Sequence, residues 1–145
     1  MMVTSHVAAP QLIGPLMEAI APEFIGLIRV VLGAMLLAHG CVHLLYLATE
    51  PSFSLEHSWL VPAPVRRPVA HTLLVAIIGA FAILALAVWG VPGLAAAWPI
   101  LAIIAAALST ALLSLFWNWQ LGLGILINAV LVAASIARLS GVAFT

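Results

Sequence analysis

A chain of 145 residues that is 66% hydrophobic and 6% charged cannot hide its apolar surface inside a water-soluble domain, where about a quarter of residues carry charge. Four Lys and Arg balance four Asp and Glu, so no basic face awaits a phosphate backbone and nucleic acid is not an expected partner. The single cysteine, Cys41, excludes an intrachain disulfide.

The implied solvent is a bilayer, and one small membrane domain over about residues 22–140 is the expected organisation. Residues 1–21 are interrupted by Pro10 and Pro15 and lack the Lys/Arg start and clean apolar core of a secretory signal. They read as a tail, or as a short interfacial helix over Gln11–Ile20. The first spanning helix is predicted over about 22–48. It opens at Pro22-Glu23, since proline suits the first helical position and glutamate complements the positive end of the helix dipole. From Phe24 to Leu47 only Arg29, His39 and His43 are ionisable apart from the weakly acidic Cys41 and Tyr46, and roughly 20 apolar residues suffice to span.

A long loop, 49–68, then gathers Glu50, Glu56, His57, Arg66 and Arg67. The second helix, about 69–89, carries His71 in its first turn and stops at Gly90-Val91-Pro92-Gly93, a strong breaker cluster. The third and fourth, about 94–116 and 121–139, are joined only by Trp117-Asn118-Trp119-Gln120, a link that forces an antiparallel hairpin. The predicted fold class is all-α, a four-transmembrane-helix bundle running up-down-up-down. Tyr46 and the tryptophans are expected as anchors at the membrane interface.

An even number of spans places both termini on one side, side A, with the long loop and the Trp-Asn-Trp-Gln turn on side B. Arginines flank both sides, Arg29 and Arg138 on A and Arg66 and Arg67 on B, so the positive-inside rule does not orient the chain. Only the weak habit that long, non-basic loops face outward tips side A toward the cytoplasm.

On a helical wheel Gly26, Gly33 and Gly40 recur every seventh residue and form a stripe against which another helix can pack closely. Beside it lie Arg29, Leu36, His39 and His43, with Glu50 following if the helix continues. His39 and His43, at i and i+4, point the same way. Counted from side B at 1.5 Å per residue, His39 lies about 12 Å deep, Asn128 about 11 Å, Thr110 about 9 Å, His43 about 6 Å and Ser114 about 3 Å. Polar side chains in hydrocarbon are costly and face a bundle interior or a wet cavity. A pocket open to side B is therefore expected, walled by His39, His43, His71, Thr110, Ser114 and Asn128, with Glu50, Glu56, His57 and Trp59 as a lid. The plainer reading of the same residues is interhelical hydrogen-bond glue.

Three function classes fit such a pocket. Imidazole is the commonest metal ligand, and His39 and His43, one turn apart, are spaced to bind one ion with His71 as a third donor and Glu50 or His57 as a fourth; for haem, which needs two ligands at one depth, His43 with His71 is the one pair suited. The acid of a His-Glu-x-x-His motif is absent, because Gly40-Cys41-Val42 separates the two histidines. A second class is binding of an amphiphile such as a quinone or lipid through its polar end. A third is an accessory subunit packed in the membrane against a larger complex, or a homo-oligomer. No complete catalytic motif is present, so the expected function is non-enzymatic: amphiphile binding or an accessory role, with histidine-ligated haem or metal as the alternative.

The runs Leu36-Leu37-Ala38-His39-Gly40-Cys41-Val42-His43-Leu44-Leu45-Tyr46-Leu47, His57-Ser58-Trp59-Leu60, Val65-Arg66-Arg67-Pro68, Ala87-Val88-Trp89-Gly90-Val91-Pro92 and Phe116-Trp117-Asn118-Trp119 resemble a group of small, uncharacterised bacterial four-helix membrane proteins over about Phe24 to Leu139. The layout is also loosely similar to DoxX-like membrane proteins. The resemblance implies the four-helix fold and a multi-pass location in a bacterial cytoplasmic membrane, among membrane lipids. It implies no activity and assigns no residue a role.

Overall fold

The computed structural model describes residues 13–48 and 55–141. Four helices carry the chain: α1 (Ile13–Val42), α2 (Arg66–Val88), α3 (Trp98–Leu115) and α4 (Gly122–Leu139). Among the described residues there is no strand. Close backbone packing runs between consecutive helices, α1 on α2, α2 on α3 and α3 on α4. All four are long and apolar enough to cross a membrane, over Pro22–Leu47, Ala63–Val88, Ala95–Leu115 and Trp119–Leu139. Helices suit such segments because every backbone N–H and C=O is satisfied within the element. The architecture is thus the all-α four-helix bundle that the apolar runs predict.

The helix ends differ from expectation in ways that follow from local chemistry. α1 is described from Ile13 and runs through Pro22 instead of starting there. Proline removes one backbone donor, a loss that a long apolar helix tolerates. At its other end α1 tightens into a 3₁₀ turn, His43–Leu47. α2 starts at Arg66 and takes Pro68 into its first turn, where the missing N–H has no intrahelical partner to lose. α3 starts only at Trp98, because Gly90 and Gly93 adopt φ values of 87° and 84° and a 3₁₀ turn, Ala95–Ala97, precedes the helix. In the short link to α4, Asn118 accepts a hydrogen bond from the Gln120 backbone N–H at 2.8 Å and so caps the 3₁₀ turn Trp119–Leu121.

The two central helices hold the core. Of their spans 33% (α2) and 39% (α3) of the best apolar window is buried, against 11% for α1 and 17% for α4. Ile77, Phe81 and Leu84 on α2 meet Ala102, Ala105, Leu112 and Leu113 on α3, a three-to-four-residue period on each helix. α1 joins this core through two of its three stripe glycines. A Cβ on Gly33 would sit 2.1 Å from Trp89 Nε1, and one on Gly40 would sit 2.7 Å from Phe81 Cβ. Trp89 also donates from Nε1 to the Val30 carbonyl at 3.2 Å. Gly26 departs from the expected stripe, since nothing lies within 4 Å of its Cβ position.

The two glycines provide a direct test of this packing. Gly40→Ala forces Phe81 or the α1 backbone to move and is expected to destabilise the bundle by about 1–3 kcal/mol. Gly26→Ala should leave stability unchanged or slightly raised, as the helix propensity of alanine dictates. Unfolding in mild detergent, followed by circular dichroism, separates the two.

Candidate functional site: a histidine and asparagine network

The polar residues of α1, α3 and α4 converge on one amide. Asn128 is 2% exposed; its Oδ1 lies 3.2 Å from His39 Nε2. Its Nδ2 donates to Ser109 Oγ at 2.8 Å and to Thr110 Oγ1 at 3.1 Å. Ser109 Oγ in turn lies 2.8 Å from His43 Nε2. The directions of these bonds follow from what each atom can do. An amide oxygen only accepts, so His39 carries its proton on Nε2. Ser109 accepts from the amide, and the direction of its bond with His43 Nε2 depends on the His43 tautomer. His43 Nδ1 is buried and has no hydrogen-bond partner.

Local structure explains why the two histidines reach different partners. The α-helix delivers His39, and the 3₁₀ turn begins at His43. Their ring centroids are 5.7 Å apart at 70°, and the His39 ring also meets Phe81 edge-on at 4.9 Å. In a 3₁₀ turn residues i and i+3 eclipse, so Tyr46 follows His43 inward. Tyr46 is buried, and its hydroxyl donates to the Phe116 carbonyl at 2.5 Å. It packs the side B end of the core instead of anchoring at the interface.

Of the residues expected to form a pocket, the structure brings His39, His43, Thr110 and Asn128 together and leaves two outside the network. His71 is exposed and lines a separate hollow with Tyr46, Leu55, Glu56 and Arg67. Ser114 is exposed, and its backbone carbonyl accepts from Trp59 Nε1 at 2.6 Å. Ser109, which sequence reasoning passed over, is fully buried at the centre of the network. Its signal was phase: it falls on the same α3 face as Ala102, Ala105, Ala106, Leu112 and Leu113, the small-residue side that turns inward.

The expected lid residues occupy the loop in a fixed arrangement. Arg66 donates to the backbone carbonyls of Val61, Ser58 and Glu56. Ser58 Oγ accepts from the Val61 N–H at 3.1 Å. The Trp59 bond then ties this loop to the end of α3. His57 lies beside Trp59 and Trp117 in a shallow surface hollow. Glu50 lies outside the described residues. As for metal, both imidazole Nε2 atoms of the network are engaged. Among the described residues no group of three or more His, Cys, Asp and Glu side chains is placed to hold an ion.

The network also borders open space. Asn128, Thr110 and Ser114 line a groove of about 660 Å³ between α3 and α4, whose other walls are alanines together with Ile125, Val132 and Ile136. Thr110 accepts from Asn128, so its own O–H remains a donor. The groove is apolar over most of its length and polar around these three side chains.

Asn128→Leu strips partners from His39, Ser109 and Thr110 at once. At about 0.6 kcal/mol per bond, seldom above about 1.7, in a membrane bundle, the loss should be on the order of 2 kcal/mol. A double-mutant cycle of Asn128→Leu with His39→Leu checks it: the second substitution should cost markedly less in the Asn128→Leu background than alone.

No family model, curated protein or solved structure matches the chain.

Proposed function

We propose that the chain is a non-enzymatic integral membrane protein that binds an amphiphile in the groove between α3 and α4. The observation that carries this reading is the position of Asn128, whose amide is locked by three hydrogen bonds while the residue lines the groove. A site of this kind needs a fixed polar point in an apolar channel of roughly 300–1,000 Å³, and a groove of about 660 Å³ is of that size. The ligand polar end lies at Thr110, Asn128 and Ser114, where hydroxyl donors meet an acceptor oxygen such as a carbonyl. Its apolar part runs along the alanines toward Ile136, away from side B. The resemblance to small bacterial membrane proteins supports a place in the cytoplasmic membrane of a bacterium.

The test fills the groove without touching the network. Ala129 is exposed and lines the groove, so Ala129→Leu should leave folding intact and block the channel. Lipid extracts of wild type and variant, purified in mild detergent, are compared by mass spectrometry. A species enriched over the bulk membrane in wild type and reduced to background in Ala129→Leu is the expected result. Identical extracts that match the bulk membrane would overturn the reading and favour an accessory subunit, whose partners the same preparation would carry.

A further inference from the structure

The hollow at the side B end of α2 is separate from the groove and has a different chemistry. It measures about 270 Å³ and is lined by Tyr46, Glu56, Arg67 and His71 together with Leu47, Ala48 and Leu55. Arg67 and His71 stand one turn apart on α2, so both side chains leave the same face. Glu56 reaches the hollow from the loop. Its carboxylate is 4.0 Å from Arg67 Nη2, and the two side chains are 72% and 76% exposed. An ion pair this long and this exposed contributes little, and a ligand that carries both charges can take its place.

Two features make this a constructed arrangement. Arg66 is consumed by the carbonyls of Glu56, Ser58 and Val61, so it fixes the backbone of Glu56 while Arg67 is the guanidinium presented to the hollow. Tyr46 is buried, and its hydroxyl is committed to the Phe116 carbonyl, so it offers a floor instead of an exposed ring. The hollow lies level with the start of α2 and the end of the first span, the depth at which lipid headgroups sit.

We propose that this hollow binds the headgroup of a phospholipid bearing a primary ammonium, its phosphate on Arg67 and His71 and its ammonium on Glu56. Guanidinium matches a phosphate oxygen pair in a forked geometry, and the imidazole N–H adds a third donor. A primary ammonium has N–H groups to give a carboxylate, whereas a quaternary one has none and seeks aromatic faces, which the buried Tyr46 does not supply. An anionic lipid with no ammonium leaves Glu56 facing negative charge. Discrimination thus resides in Glu56, and general phosphate affinity in Arg67.

The test measures binding of three lipids of identical tails, phosphatidylethanolamine, phosphatidylcholine and phosphatidylglycerol, to delipidated protein in mild detergent by native mass spectrometry. Phosphatidylethanolamine should bind a few-fold more tightly than phosphatidylcholine, the ratio that one exposed charge-assisted contact supplies. Glu56→Gln should erase that preference, Arg67→Gln should weaken all three, and Ala129→Leu should leave the preference intact, which separates this site from the groove. Glycerophosphoethanolamine, the same headgroup without tails, should not compete at equal concentration. Equal affinities for the three lipids, a preference that survives Glu56→Gln, or full competition by the tail-free headgroup would each overturn the proposal.

Discussion

One carboxamide, that of Asn128, joins three helices of the bundle. Consecutive helices pack backbone to backbone, a pattern that by itself leaves the first helix free of the last. Asn128 links them through His39 and at the same time engages two neighbouring hydroxyls of α3. In surroundings too apolar to offer replacement partners, such a group fixes register, because any slip of α4 by one residue would bury its amide unpaired. Contact between apolar faces has no comparable specificity when the solvent is itself hydrocarbon.

The helix count and order were legible because apolar runs punctuated by Gly, Pro and Trp leave few alternatives. The shared level of His39, His43, Thr110 and Asn128 could be read from depth along ideal helices, with rotation adding only that the two histidines point the same way. What remained hidden depends on departures from the ideal helix. Tyr46 turns inward because the chain tightens from 3.6 to 3.0 residues per turn at His43, and no residue in that stretch announces the change. Ser109 and Thr110 are adjacent and chemically alike, so only the packing of α3 against α2 decides which is sealed in the core and which borders the groove. His71 was assigned to the wall by depth alone. Its rotation places it on the outer face of α2.

The loop shows how few charges so apolar a chain needs to order its surface. Of the charged side chains in 55–68, Arg66 neutralises carbonyl dipoles that a short irregular segment would otherwise leave to water, and Arg67 and Glu56 stay outward. Side chains thus do here what a helix or strand ladder does elsewhere. The tryptophan bond to Ser114 adds a fixed point where the loop crosses the end of α3.

The bond from Trp89 to the Val30 carbonyl marks where α2 ends beside α1, yet α1 continues upstream from there to Ile13. That stretch amounts to about 25 Å of rod, and from Pro22 to Val30 every residue of it is exposed. Within that stretch Pro22 removes one backbone donor from the helix. α1 is thus held against α2 and its cap residue Trp89 at Gly33 and Gly40, and its proline lies eleven residues upstream of the first of those contacts.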